Sequence, residues 1–453
     1  MEKEAKRSKI IFNVSNTKYE IIKHVGSNVF GWILSNSPTD SNWDLFWTDN
    51  SVIPDRLSRM KPHQKINHFP GMFGIARKNC MANNLNKMRN IFPHDYNFYP
   101  KSWVLPSDLN EFKAELQQSS KTYIVKPEAS SQGRGIYLVK RLEDLRTHEH
   151  CIAQRYLQKP FLIDGLKFDL RIYVLLSACD PLRIFIHEEG LARFATEEYQ
   201  NPSRGNLDEM FMHLTNYAVN KHNPKFVQNE DPEHCDIGHK RSLSSVLIRL
   251  EEEGYDVTTL WDRICDIIIK TICTIQPSLS HFYRSSQPDD VSNGMCFEIL
   301  GFDIILDHKL RPYLLEVNHS PSFTTDSQLD FKIKERIISE ALNIMNIKVK
   351  NRREYEMISK TLSSNRIINK KSRQESLEEK KGLRDEATRK NDRHSDKHCG
   401  GYIKIFPGEN DDYYQQFLEA ARELWSDVTA VKQKRQTETA RSSTPTAIRP
   451  ISV

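Results

Sequence analysis

The chain has 453 residues, 38% of them hydrophobic, with 65 Lys and Arg against 60 Asp and Glu and a formal net charge of +5. That length points to two or three domains at roughly 150 residues each, and the modest apolar share points to a polar appendage beside a compact body. A membrane span is excluded by the lack of any apolar run near about 18 residues. The charged opening Met1-Glu2-Lys3-Glu4-Ala5-Lys6-Arg7 does not read as a secretory signal. Eight cysteines with no CxxC pair speak for reduced thiols in the cytoplasm rather than a disulfide or zinc framework.

In chain order, Ile10 to Val14 and Trp43 to Trp47 read as strands, and Tyr19 to Val25 as a strand or the start of a helix. A helix is predicted from about Arg77 to Asn90, with Leu85 and Met88 on its apolar side and Phe92-Pro93 after its end. Phe98 to Pro106 is extended, and Ser107 to Gln118 reads as a helix. Thr122 to Glu128 is a β-branched strand ending in Lys126-Pro127, followed by a small loop with Gln132-Gly133-Arg134-Gly135 and a second strand to Val139. Such a loop lets backbone N–H groups approach phosphate oxygens beside a lysine. A lone G-x-G is equally an ordinary hairpin loop, and no Gly-Lys-Ser/Thr opens a following helix.

Ile152 to Leu157 is a further strand. Lys167 to Leu175 alternates, so Lys167, Asp169 and Arg171 share one strand face opposite Phe168, Leu170 and Ile172. Read alone, this is equally a solvated face with an internal salt bridge. Arg183 to His187 is a further strand, Gly190 to Ala195 ends in another placed arginine, Arg193, His213 to Lys221 is polar and aromatic, and Asn223 to Lys240 reads as a mobile loop. Ser242 to Leu250, Thr258 to Ile275 and Asp330 to Met345 have helical spacing. Between Lys348 and His398 lie 16 Lys and Arg and 9 Asp and Glu, a surplus of +7 that leaves the rest of the chain at −2. This basic segment reads as a long exposed helix or as a segment disordered until bound, suited to an acidic polymer. After Gly400-Gly401, the residues Tyr414, Phe417, Leu418, Ala421, Leu424, Trp425 and Val428 mark an amphipathic helix, and the last twenty residues read as disordered.

The stretch Leu310 to Phe323 carries the chemistry. Its strand, Tyr313 to Val317, ends in polar residues and a proline, and Glu316 and Asn318, two apart, share a face. A carboxylate and an amide oxygen side by side are ligands of the kind Mg²⁺ accepts beside substrate phosphates. Upstream, Phe297 to Leu306 holds one interior acid, Asp303. An even-numbered hairpin loop, Asp307 to Leu310, puts Asp303 on the face of Glu316 and Asn318; an odd loop breaks that parity.

Six stretches in this order resemble the tubulin tyrosine ligase-like family: Ile66-Asn67-His68-Phe69-Pro70-Gly71, Ile124-Val125-Lys126-Pro127, Gly133-Arg134-Gly135-Ile136, Lys167-Phe168-Asp169-Leu170-Arg171, His213-Leu214-Thr215-Asn216-Tyr217 and Leu314 to Phe323. The likeness spans about residues 10 to 350. The Asn-His-Ser-Pro-Ser-Phe ending and the basic segment look most like the polyglutamylase branch, of the member-6 and member-13 type. The resemblance implies an α/β (α+β) chain with an ATP-grasp fold: an N-terminal α/β domain (1–97), a central domain (98–160), a C-terminal ATP-grasp domain (161–347), a basic microtubule-binding extension (348–400), an amphipathic helix (401–431) and a tail (432–453).

It also implies ATP and Mg²⁺ as cofactors. Lys126 with Gln132, Gly133, Arg134 and Gly135, and Lys78 more remotely, would hold phosphates. Gln154, Arg155, Tyr156 and Leu157 would line the adenine slot, and Lys167, Phe168, Asp169, Thr215 and Asn216 would add nucleotide contacts. Asp303, Glu316 and Asn318 would bind the metal. Arg171, Arg193 and Glu316 would be catalytic, and Arg193, Tyr217, Lys240 and His319 would orient free L-glutamate. The implied activity joins L-glutamate to glutamate side chains of tubulin tails through an acyl-phosphate, lengthening side chains, on microtubules in the cytoplasm, with cilium and basal body as candidate settings. A monomer, without nucleic acid or membrane as partner, is expected. Tyr355 is the only ring from Lys348 to His398, too few to stack bases. The alternatives are a glycine or tyrosine ligase of the same class and a non-catalytic microtubule-binding protein.

Overall fold

The protein is described by a computed structural model covering residues 9–128, 132–146, 150–229, 236–349, 357, 360 and 373–442. Its strands form three sheets. The first is parallel and built from β1 (Ile11–Asn16), β2 (Ile33–Ser35), β3 (Leu45–Thr48) and β4 (Lys65–Ile66), in the order β2-β1-β3-β4. Tyr19 to Val25 resolves as a helix, Glu20–His24, with a wider turn behind it. The second sheet is antiparallel: β5 (Ser102–Leu105), β6 (Tyr123–Pro127), β7 (Tyr137–Val139) and β8 (Cys151–Arg155), in the order β5-β8-β6-β7.

The third sheet is the largest. Its seven strands are β9 (Leu162–Ile163), β10 (Leu166–Cys179), β11 (Leu182–Phe194), β12 (Lys240–Ser242), β13 (Glu298–Leu306), β14 (Pro312–Asn318) and β15 (Tyr402–Phe406). The backbone order is β12-β11-β10-β13-β14, with β15 on β11 and β9 on β10. Here β10 is buried over almost all of its 14 residues, so the alternation predicted for a half-solvated strand is instead an alternation between two interiors. Its Leu170, Ile172, Val174 and Leu176 pack with Ile264, Ile268 and Ile272 of the Val257–Cys273 helix. On the other side Tyr173 and Leu175 meet Ile337 and Ile338 of the Gln328–Ile344 helix, together with Phe12 and Leu45 of the first sheet.

The structure goes beyond the expected elements at four points. The strand read as Arg183 to His187 runs on through Gly190 to Phe194 as one strand, β11, because Gly190 has no side chain where a Cβ would stand 2.4 Å from the Arg171 carbonyl oxygen. The Gln276–Ser286 helix and β15 were not foreseen: the first opens on Gln276-Pro277 directly behind another helix, and the second is only five residues long. The hairpin loop between β13 and β14 is odd, not even: Leu306 pairs with Pro312, leaving 307–311 between them. Parity is restored by a bulge, since Ile304 pairs with Leu314 but Asp303 pairs with Glu316, leaving Leu315 unopposed.

Of the basic segment, 350–356, 358–359 and 361–372 lie outside the described residues, as do 443–453 of the tail. What is described, the Arg373–His398 helix, is docked rather than free. Arg183 pairs with Asp392 through two hydrogen bonds at 2.6 and 2.9 Å, His394 meets the Asn343 carbonyl at 2.9 Å, and Lys380 pairs with Asp289 at 2.8 Å. The amphipathic helix runs over Asp411–Ser442 and closes the apolar side of the body. Its Phe417 is fully buried, with ring centroids 4.9 Å from Phe92 and 5.6 Å from Tyr96. Among the described residues no helix is long and apolar enough to cross a membrane.

Phe417→Ala removes the ring that pins this helix to the body. Deleting a buried Phe side chain costs about 3–5 kcal/mol, so the urea midpoint should fall and amide exchange across the helix should accelerate before that of β10. Equal protection of the helix in the variant would contradict the packing.

Candidate active site

Two rows of charge run across one face of the large sheet. In the first, Lys240 on β12 pairs in register with Arg193 on β11, and Arg193 with Asp169 on β10. In the second, Arg171 on β10 pairs with Asp303 on β13, and Asp303 with Glu316 on β14. Directly opposed residues of neighbouring strands share a face, so the rows follow from strand order and register alone. Asn318, two residues beyond Glu316, extends the second row.

The acids and arginines are interlocked. Arg171 Nε donates to Asp303 Oδ1 at 2.5 Å and its Nη2 to Oδ2 at 3.1 Å. Arg193 Nη2 lies 2.8 Å from Asp303 Oδ2, and the same guanidinium donates to Asp169, through Nε at 3.1 Å and also through Nη2. Burial alone would raise the Asp303 carboxyl; Arg171 and Arg193 outweigh it and hold the group well below the usual carboxylate range. Asn318 Nδ2 stands 3.3 Å from Glu316 Oε1 and 3.5 Å from Asp303 Oδ2. Two carboxylates and an amide therefore converge within a few ångströms. This set suits a small hard divalent cation, with the Asn318 amide turned to present its oxygen.

Beside this corner is a pocket lined by Ile124, Lys126, Ile136, Gln154 to Leu157, Lys167, Asp169, Arg193, Thr215, Asn216, Asp303 and Glu316, among others. Lys126 Nζ donates to Gln154 Oε1 at 2.8 Å, and Gln154 Nε2 in turn donates to Ser102 Oγ at 3.0 Å. Burial pushes the Lys126 ammonium down to about 8, against the pull of Glu316 and with Lys78 adding to the depression. Lys167 Nζ donates to Tyr156 Oη at 2.9 Å and to the His213 carbonyl at 2.6 Å. Burial takes it to about 7, although Asp169 raises it. His213 Nε2 faces the Asn206 carbonyl at 2.8 Å, which leaves Nδ1 to accept from the Tyr156 hydroxyl at 2.9 Å.

The structure thus gathers Lys126, Gln154, Arg155, Tyr156, Leu157, Lys167, Asp169, Arg193, Thr215, Asn216, Asp303 and Glu316 around one pocket. Lys78 opens the Lys78–Ile91 helix and reaches the site electrostatically, through Lys126. The loop Gln132-Gly133-Arg134-Gly135 does not line the wall. Gln132, Gly133 and Gly135 all have positive φ, and a Cβ on Gly133 would stand 2.7 Å from Val219 and 3.4 Å from Asn216. Phe168 is the clear miss: it points to the opposite face of β10 from Lys167 and Asp169, stacked on Phe194 at 5.1 Å in the core.

Tyr217, Lys240 and His319 lie outside the pocket. Lys240 Nζ sits 3.7 Å over the Tyr217 ring and donates to the buried Asp330 at 2.7 Å. Ser327 caps the helix that carries Asp330, accepting from its N–H at 3.2 Å. His319 Nε2 faces Ser51 Oγ at 3.2 Å, while its buried Nδ1 has no partner among the described residues.

Two groups escaped the sequence reading. Glu298 bonds His68 Nδ1 at 2.7 Å and the Phe69 N–H at 2.9 Å, tying the His68 loop to the start of β13; His68 Nε2 meets the Thr48 carbonyl at 2.9 Å. His319 joins this knot, with ligand-capable atoms of the three residues within 4.8 Å of one another. Asp330, with Lys334 2.9 Å away, is the second. An acid or lysine inside an amphipathic run signals little until its partner is known.

Against known proteins, the model of the family described as "Tubulin-tyrosine ligase family" matches residues 56–357. The chain belongs to that family. It is 50% identical over 438 residues to a Tetrahymena thermophila protein named "Probable beta-tubulin polyglutamylase", covering 96% of this chain and 37% of that protein. It is 44% identical to the Mus musculus tubulin polyglutamylase TTLL13, covering 96% and 54%, and 40% identical to the Homo sapiens tubulin polyglutamylase TTLL6, covering 94% and 47%. The chain thus spans about a third to a half of the length of these relatives.

The two depressed lysines would make binding of a phosphate in this pocket pH-dependent. Lys126 near 8 and Lys167 near 7 bind a phosphate best as ammonium ions. Nucleotide binding should therefore take up protons above pH 7, and affinity should fall as pH rises, by up to about one log unit per pH unit per lysine. Calorimetry with a non-hydrolysable ATP analogue in two buffers of different ionisation enthalpy checks this; no proton uptake at pH 8.5 would contradict it.

Proposed function

We propose that this chain is the catalytic part of an ATP-dependent ligase with an ATP-grasp site, joining free L-glutamate to glutamate side chains of tubulin C-terminal tails and lengthening existing side chains. The observation that carries the reading is the pair of charged rows beside a lysine-lined pocket, in a family whose similar members are named for tubulin polyglutamylation.

In this reading Lys126 and Lys167 neutralise the phosphates, and Ile124, Ile136 and the Gln154 to Leu157 segment enclose the base. Asp303, Glu316 and Asn318 would hold Mg²⁺, which when bound supplies charge neutralisation between phosphate oxygens. A tail carboxylate oxygen attacks the γ-phosphorus and ADP leaves, giving an acyl-phosphate. The α-amine of glutamate then attacks the acyl carbon, forming the amide and releasing phosphate. The first step brings two anions together, so Arg171 and Arg193 act by stabilising charge in place rather than by covalent chemistry. Arg193, Lys240 and Tyr217 would orient the amino acid. His319, with one buried nitrogen unpartnered, has a donor or acceptor to offer it. The basic segment, at +7 over residues 348–398, would bring the enzyme to the acidic microtubule surface by a salt-sensitive attraction. The working place would be cytoplasmic microtubules, including those of cilia.

Glu316→Gln keeps the shape of the corner and removes one charge. Transfer of radiolabelled glutamate to tubulin with MgATP should fall by two orders of magnitude or more, while microtubule co-sedimentation stays near wild type. Undiminished transfer would overturn the metal role. Wild-type incorporation of glycine or tyrosine in place of glutamate would overturn the substrate.

A further inference from the structure

Behind the pocket, across the end of β8, lies a second and larger cleft of about 470 Å³ that the reaction above does not use. Arg155, Tyr156 and Leu157 form the wall common to both cavities. Three backbone hydrogen bonds fix its sides: Arg155 N–H to the Lys101 carbonyl at 2.9 Å, His308 N–H to the Lys159 carbonyl at 3.0 Å and Leu314 N–H to the Phe98 carbonyl at 3.0 Å. The cleft is therefore pre-formed by rigid elements, as binding sites commonly are.

Its charge is one-sided. Among the described residues Asp307 is the single carboxylate of the lining, and it is already taken by Arg311 at 2.7 Å. Lys101 is shared with Glu111 and Glu115. Arg89 donates only to neutral carbonyls, to Tyr96 at 2.9 Å and to Tyr99, so its charge stays uncancelled. Among the described residues no acid pairs with Lys121, Arg155 or Lys159, which line the same cleft. Four cations thus face one cavity without a directly paired acid, Lys121 reaching Glu115 only at longer range, a concentration that draws anions of several charges.

Its place along the sheet suggests which anion. Tyr313 on the cleft wall and Glu316 in the pocket stand on the same strand, β14. At about 3.3 Å per residue the cleft begins about 10 Å from Glu316 and about 17 Å from Asn318, the reach of three to five extended residues. We propose that this cleft is a docking site for an acidic peptide segment, holding carboxylates three to five residues from the one being modified. The choice of occupant rests on the ligase reading; the cavity and its charge do not.

The test uses the full chain and a fluorescent hexaglutamate peptide, with hexaglutamine as control and inorganic tripolyphosphate as competitor. In the double variant Lys121→Glu/Lys159→Glu the peptide dissociation constant should rise at least tenfold, while the KM for MgATP stays within twofold. The milder pair Lys121→Gln/Lys159→Gln should give an intermediate loss at unchanged melting temperature. Peptide affinity within twofold of wild type in the Glu variant overturns the proposal, as does equal binding of hexaglutamine or a site that takes tripolyphosphate but not the peptide. Ligation by the wild type with unaltered peptide binding in the variant removes the cleft and keeps the ligase reading. Charge-dependent peptide binding by a protein that ligates no amino acid keeps the cleft and removes the ligase.

Discussion

One buried carboxylate, Asp303, answers two buried guanidiniums, and the arrangement of the large sheet turns on that match. Arg171 and Arg193 come from adjacent strands; Asp169 on β10 answers Arg193 alone, and Asp303, arriving from a third strand, answers Arg171 and binds Arg193 as well. An unpaired charge at this depth costs several kcal/mol, and removing one member of such a set typically costs about 3–5 kcal/mol. The order β11-β10-β13 is therefore as much an electrostatic solution as a packing one. The same bond keeps Asp303 ionised, which any role in holding a cation requires.

Around that acid the fold spends irregular features to aim side chains. The bulge at Leu315 turns Glu316 toward Asp303 despite an odd hairpin loop. Ser102 orients the Gln154 amide so that its oxygen faces Lys126. The Asn206 carbonyl fixes the His213 tautomer and so leaves the Tyr156 oxygen to accept from Lys167. Each device sits one contact behind a group proposed to touch nucleotide or substrate. Such support costs little in a rigid scaffold and holds geometry where a loop would not.

Much of this could be read from the residues. Alternation along Lys167 to Arg171 puts three charges on one face of β10, and the spacing of Glu316 and Asn318 makes the same case on β14, two strands across the sheet; both hold. The same period-2 alternation that puts Lys167 on the pocket face turns Phe168 to the opposite one, against Phe194. The odd hairpin loop was illegible because a bulge leaves no mark in composition: Leu315 looks like any strand leucine. Glu298 and Asp330 carry no local signal because their partners, His68 and Lys240, lie 230 and 90 residues away in the chain. The docking of the Arg373–His398 helix was missed similarly, since a highly charged stretch reads as solvated until Arg183 and Asp289 are placed beside it.

The most direct test of the central claim is a crystal structure of the complex with Mg²⁺ and a non-hydrolysable ATP analogue. The account predicts oxygens of Asp303, Glu316 and Asn318 within about 2.1 Å of the cation, the Asn318 amide reversed and Asp303 drawn away from at least one of its arginines. A cation held by phosphates and water alone, with Asp303 still bidentate on Arg171 and bound to Arg193, would contradict it.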